Sequence, residues 1–504
     1  MRRAVALVLA AAMAVVCVGL VPGPALASRS AARGGGAAAR IRWGKAEPVP
    51  GLAALNKGHD ASVSYVSRQL YGGYNWWPGA ISCWAAGGCA AGGSFTDGHG
   101  HSQAWVAQER KGRWGKAAEV PGTAALNKGG AGGVGSASCA RTSVCVAVGT
   151  YTDKDGNGQW FTAAEKNGRW GTAVEVPVPA LDDAGISTVW CAPGGLCAAG
   201  GSFTDATGAS QAWVRPEVRG RWQPALEVPG LAALDTGGSG VVTFSELTSV
   251  SCASAGICAA GGQYQIGTVG SHNNYPPIQP FLVTETKGTW GNAKEVPGIE
   301  TVSPQSFANA STIFMTCPSA GNYTAAGYYQ AIDPDFCDLG CTGTFMVNER
   351  HGKWGQMTAE PGLSYVLWLT CPAAGDCVAA GANDNGDDVW TGELVSETND
   401  HWGGTVVLSG TSAVNSVSCA SPGYCAAGGL SRANSGFVIS EWHGAWGKAI
   451  TPAGIPVRYS ASNPESAAVS AVACPPKVTL CTAGGSVDPI GSTRAQAFIV
   501  GQVR

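Results

Sequence analysis

The sequence predicts an all-β fold, an eight-bladed β-propeller, on three observations. A pair of cysteines flanking a short turn recurs along the chain, a Gly-x-Trp-Gly-like module alternates strictly with it, and the segments between them follow strand periodicity with no sustained 3.6-residue apolar period. The first cysteines of the copies are Cys83, Cys139, Cys191, Cys252, Cys317, Cys371, Cys419 and Cys474, roughly 50 to 65 residues apart. The module tryptophans are Trp43, Trp114, Trp170, Trp222, Trp290, Trp354, Trp402 and Trp446.

One copy shows the elements in order. The alternating run V-T-S-V-S-C turns at A-S-A-G into I-C-A-A-G-G-Q-Y, a loop leads to Q-P-F-L-V-T-E-T, and a tight turn at K-G leads to T-W-G-N-A-K-E-V-P. Four short strands at this period describe a propeller blade rather than a helical solenoid. The last copy ends at A-Q-A-F-I-V-G-Q-V-R, the third strand of a blade, while a spare Trp module, I-R-W-G-K-A-E-P-V-P, stands at residues 41–50. An N-terminal strand completing the last blade would seal the ring and leave no open sheet edge. Seven blades is the alternative, with one degenerate copy absorbed.

Residues 1–27 have Arg2 and Arg3, an apolar run and Ala25-Leu26-Ala27 before Ser28, the layout of a secretory signal peptide. Residues 28–40 are a low-complexity, disordered lead-in, and residues 41–504 form a single propeller domain. No later run is long and apolar enough to span a membrane. The expected product is a secreted, extracellular protein and a monomer. A formal charge of −3 with 13% charged residues and no basic stripe argues against a nucleic-acid partner.

Export permits disulfides. Paired cysteines face each other across a hairpin, which predicts Cys83–Cys89, Cys139–Cys145, Cys191–Cys197, Cys252–Cys258, Cys371–Cys377, Cys419–Cys425 and Cys474–Cys481. Each such loop contributes about 2 kcal/mol by its entropy. In the fifth copy Tyr323 stands at the partner position of Cys317, and two extra cysteines follow, so the expectation there is a local Cys337–Cys341 bridge and a free, buried Cys317. The recurring Trp reads as inter-blade packing, as do the third-strand aromatics Trp105, Trp160, Trp213, Phe281, Phe345, Phe437 and Phe498.

The C-A-S-x-G-x-C-A-A-G-G and W-G-x-A-x-E-V-P-G patterns resemble the Cys- and Trp-containing repeats of secreted actinomycete proteins, which are generally taken to be β-propellers. The resemblance covers essentially the whole mature chain. It implies the propeller fold and no one activity, since propellers carry lectins, hydrolases, lyases and scaffolds alike.

Among the copies, the turns within cysteine and Trp hairpins stay short, while the loops on the opposite face vary, as on a scaffold carrying a grafted site. The insertions are 59–80, 265–279, 328–343 and 383–390; to them are added Glu246, Tyr365 and Trp368, read as lying on connections between blades. Aromatic rings beside polar groups suit a sugar surface, which nominates Arg68, Tyr74, Trp76, Trp77, His272, Tyr275, Tyr365, Trp368 and Trp390 as ligand-binding. The favoured function is binding of an extracellular polysaccharide or a cell-surface protein through this face. The alternatives are a glycoside hydrolase or polysaccharide lyase, and a structural cell-surface protein. Catalysis would need convergent carboxylates, for which Glu246, Asp384 and Asp388 are the candidates. No cofactor is expected. Calcium is the weaker alternative at Asp153–Gly158, which opens like a calcium loop but has Phe161 and Ala164 where later ligands belong.

Overall fold

The computed structural model describes residues 41–64, 79–139, 144–177, 182–192, 196–218, 221–234, 242–254, 256–266, 278–301, 310–331, 341–360, 363–384, 389–455, 467–487 and 495–503. The segments expected to be the signal peptide and lead-in lie outside them. The fold is all-β, and its strand pairing follows the cysteine repeat. In the fourth copy, Val242–Ser254 pairs with Ile257–Ile266, which pairs with Ile278–Thr286. The fourth strand is split into Thr289–Trp290 and Lys294–Glu295, both on the third. The same order recurs in units that are numbered here by cysteine position. One parallel bridge, Ser210 to Phe244, joins the third unit's sheet to the fourth's. In the eighth unit the third strand, Gln496–Val503, receives Arg42–Trp43 and Glu47–Pro48 from the other end of the chain.

Local chemistry sets the turns. The K-G, N-G and H-G dipeptides at 111–112, 167–168, 287–288, 351–352 and 443–444 have positive φ at both residues, the type I′ geometry that matches strand twist. The cysteine-hairpin turn lies against this turn, with the Gly112 amide donating to the Gly87 carbonyl, Gly288 to Gly256, Gly352 to Gly321 and Gly444 to Gly423. Both short turns therefore share one end of the unit.

Each first strand carries a register shift in its middle. It falls at Gly135, Ser187, Thr248, Ile313, Leu367, Asn415 and Ser470, where one residue is left unpaired against the second strand. Such bulges bend a strand and re-aim a side chain. In the first unit the strand is described up to Ser64 and again from Gly79, with residues 65–78 outside the described residues. Ala61–Val63 pairs with Gly93–Phe95 before them and Ile81 with Ala91 after them. The 59–80 stretch is thus an interruption of the innermost strand rather than a connection between units.

Opposite the bulge, glycine is required by close approach. A Cβ on Gly262 would lie 2.1 Å from the Glu246 carbonyl oxygen and 2.7 Å from the Phe281 ring, and one on Gly327 would meet Ser311 and Phe345 as closely. The third-strand aromatic fills this space, and Trp105, Trp213, Phe281 and Phe345 are fully buried. In the second unit the residue facing glycine is Phe161, against Gly149, so the aromatic expected at Trp160 belongs one position on.

Packing between units is head to tail. The apolar clusters combine neighbouring units, as where Val106 and Val134 meet Ala147 and Phe161. Module tryptophans bridge units as the repeat suggests: Trp446 Nε1 donates to Ser396 Oγ and Trp43 Nε1 to Ser440 Oγ. An innermost strand is an edge with free amides. Serines of the preceding unit accept from them, Ser82 from Cys139 N, Ser416 from Val472 N and Ser418 from Cys474 N.

The seven hairpin disulfides are formed, with Cα–Cα distances of 3.9 to 4.2 Å. Cys317 is free. Its thiol donates to the Ser251 carbonyl and burial pushes its pKa up, although the residue as a whole is half-buried rather than buried. Tyr323, at the missing partner's position, is buried, and burial raises its pKa to about 12. The expected Cys337–Cys341 bridge lies outside the described residues.

The third strands also bury carboxyls beside the module tryptophans. Glu285, Glu349, Glu397 and Glu441 are almost fully buried, each with an Oε2 that has no hydrogen-bond partner. Arg350 of the fifth unit reaches Glu397 of the sixth at 3.4 Å, and Arg110 reaches Glu165 at 3.3 Å. At the position of those arginines, the units preceding Glu349 and Glu441 have Thr286 and Thr398. Burial raises both carboxyls to about 7. The unfolded chain releases these protons near 4.5, so between that pH and 7 the folded state holds more protons and stability falls as pH rises. The melting temperature should therefore be higher at pH 5 than at pH 8. Glu349→Gln with Glu441→Gln should flatten that slope; a slope unchanged in the double variant would contradict the assignment.

Candidate functional site

The first strands of all eight units line one cavity of about 1190 Å³, contributing Cys83, Cys139, Cys191, Ser251, Cys317, Thr370, Val417 and Cys474. About half of its wall is Ser, Thr, Ala and Val, and Trp160 and Trp190 reach it singly from the second and third units. The fifth and sixth units differ. Phe314, Tyr328, Tyr365, Trp368 and Trp390 all line the cavity, with Tyr365 and Trp390 at 5.5 Å between ring centroids and Phe314 and Trp368 at 6.1 Å.

Register explains the cluster. The residue just after the bulge is Ser136, Thr188, Ser249, Ser416 or Ala471 in other units, but Phe314 and Trp368 in these two. Trp390 opens the sixth unit's third strand. Arg432 of the seventh unit fixes that corner, donating to the Trp390 carbonyl and to Thr391 Oγ1. Burial raises the Tyr328 pKa, and the neighbouring Tyr365 adds to the shift.

The sixth unit holds a second departure. Where the other units place an aromatic ring opposite glycine, it has Glu393 opposite Gly381. Glu393 is 3% exposed, its Oε2 has no hydrogen-bond partner, and burial raises its pKa to about 7 against the opposing effect of an Asn383 hydrogen bond. Asn383 Oδ1 accepts from Ser364 Oγ at 2.6 Å. Residues 364, 383 and 393 stand on the unit's first three strands or their margins, Ser364 next to Tyr365 in sequence and Asn383 in register with Thr391, the residue after Trp390.

Of the sequence candidates, the structure brings Tyr365, Trp368 and Trp390 together. Tyr365 and Trp368 lie within the strand Tyr365–Ala373, not on a connection between units. Glu246 likewise lies within a first strand, at the position Tyr365 occupies in the sixth unit; Ser187 Oγ and Gln263 Nε2 donate to its two oxygens. Asp384 ends the second strand of the sixth unit. Asp388, Arg68, Tyr74, Trp76, Trp77, His272 and Tyr275 lie outside the described residues. Sequence reading missed Phe314, Tyr328 and Glu393. The signal for Glu393 was the one copy in which a third-strand aromatic could not be named.

The Asp153 turn is self-contained. Its Oδ1 accepts from the Asp155 and Asn157 amides and its Oδ2 from the Gln159 side chain. Asp97 and Asp205 make the same arrangement, with Thr207 and Gln211 holding Asp205 at a pKa of about 2. This is the chemistry of an Asx-capped turn. Among the described residues, no group of three His, Cys, Asp or Glu is placed to hold a metal ion.

No family model and no curated protein matches the chain. Among solved structures it is similar to the GH93 α-L-arabinofuranosidase of Fusarium graminearum with arabinobiose (TM-score 0.34, 12% identity, 73% of this chain and 91% of that one). It is similar also to a PL25 ulvan lyase (0.38, 10%, 71% and 90%) and to the WD40 domain of Neurospora crassa Pan2 (0.31, 9%, 71% and 85%). Likeness at this level assigns no activity to this chain.

Proposed function

We propose that the chain is an exported, closed, eight-bladed propeller that binds an extracellular carbohydrate in its central cavity. Closure is supported by the contact between last and first units. A Cβ on Gly484 would meet Ile81 and Val63 of the first unit, as one on Gly92 would meet Val134 of the second and one on Gly428 Val469 of the eighth. Ser470 Oγ donates to the Val63 carbonyl, and the Ala61 amide to that of Ala495. Export is supported by the seven disulfides, which persist in oxidising compartments.

The observation that carries the binding function is the convergence of five aromatic side chains, Phe314, Tyr328, Tyr365, Trp368 and Trp390, from two adjacent units on one stretch of the cavity wall. Flat rings stack on the apolar faces of pyranoses while neighbouring polar groups fix hydroxyls. Calorimetric titration with a panel of plant, fungal and bacterial-wall oligosaccharides tests this. Tyr365→Ala and Trp390→Ala should each weaken the best ligand about tenfold, the order of one lost ring stack. Equal affinity in the double variant would exclude the site. Release of shorter products from any panel member would establish a hydrolase or lyase instead of a binding protein.

A further inference from the structure

We propose that Glu393 is the positioning residue of this carbohydrate site, holding the Tyr365 and Trp390 rings through Asn383 and Ser364. The inference rests on the reading of the cavity as a sugar site, but its geometry is independent of any ligand.

A ring at this position would be the stable choice, since the other units bury one there and a carboxyl without full hydrogen bonding is costly to bury. The sixth unit buries the carboxyl nonetheless and gives it Asn383 as a polar partner. Asn383 is hydrogen-bonded to Glu393 and to Ser364, the residue before Tyr365. Asn383 is also the cross-strand partner of Thr391, the residue after Trp390. Tyr365 and Trp390 meet at 5.5 Å in front of this chain of contacts. Across the seam in the fifth unit, Thr344 is the partner of Tyr328, and its Oγ1 is also buried without a hydrogen-bond partner. Polar groups thus stand next to the aromatic residues of the cavity wall, and Glu393 is linked through Asn383 to Ser364 and to the register position of Thr391, the backbone neighbours of Tyr365 and Trp390.

The charged and titratable groups on the surrounding elements include Tyr328 in the fifth unit, Tyr365 on the first strand, Asp376 and Asp384 at the two ends of the second strand, the latter the cross-strand partner of Trp390, Glu397 farther along the Glu393 strand and Arg432 in the seventh unit. Burial raises the Glu397 carboxyl as well, so a Glu397→Gln variant serves as control.

The test follows the indole resonance of Trp390, assigned by its loss in Trp390→Phe, as pH is varied in the ligand-free protein. The expected result is a shift with a midpoint near 7 that persists in Glu397→Gln and vanishes in Glu393→Gln. A Trp390 resonance indifferent to pH, or one titrating unchanged in Glu393→Gln, overturns the proposal. Glu393→Phe, which installs the residue type used elsewhere, should fold with unchanged or higher stability and bind the best sugar about tenfold more weakly. Full affinity in that variant also overturns it. If the titration behaves as expected but no sugar binds the wild-type protein, the carbohydrate reading fails and the coupling of Glu393 to Trp390 stands.

Discussion

Replacing Gly262 with alanine should destabilise the protein by about 3 kcal/mol or more, the upper range for forcing an extra carbon into a packed core. The added Cβ would lie 2.1 Å from a backbone oxygen and 2.7 Å from Phe281, and neither neighbour can rotate away. The first strand is anchored by its cysteine hairpin, and the ring is fully buried between two units. Relief requires separating the first two strands or expelling the aromatic residue. Gly501→Ala is the matched control: it lies in a strand with nothing within 4 Å of an added Cβ. It should be neutral or slightly stabilising through the unfolded chain. Denaturant unfolding of the two variants measures the contrast, and similar midpoints would contradict the packing described.

The repeat was legible because each element has a local chemical cause. Cysteine pairs face each other across a hairpin, positive-φ dipeptides make the Trp turns, and glycine opposes a buried ring. Those constraints are written in single residues and recur, so their spacing reveals the strands. The site was less legible, because cavity position depends on register. Tyr365 and Glu246 occupy the same place in two units, but only alignment at the bulge shows it. Reading them as connection residues followed from missing that the first strand continues through the bulge. Trp368 was placed on a connection between blades and Trp390 at the end of a loop insertion, whereas both lie on strands. Glu393 escaped notice since a glutamate in a strand reads as a solvent-facing residue, and only its pairing with Gly381 marks it as buried.

The second large effect concerns the ends of the chain. Arg42 and Val503 are directly opposed on the N-terminal strand and the last strand, and both are exposed. Cysteines at the two positions would be joined across a loop comprising nearly all of the chain from 42 to 503. A cross-link of that span removes about 5 kcal/mol of loop entropy from the unfolded chain, where native geometry accepts it without strain. The stabilisation should disappear on reduction under conditions that leave the unmodified protein folded.

The same pair gives the most direct measurement of the architecture, because the proposed site presupposes a ring that closes through these strands. Arg42→Cys with Val503→Cys should yield, after mild oxidation, a cross-linked peptide pair identified by mass spectrometry, with neither thiol open to alkylation in the folded protein. Two freely alkylated thiols and no cross-linked peptide would contradict closure, and with it the placement of the site.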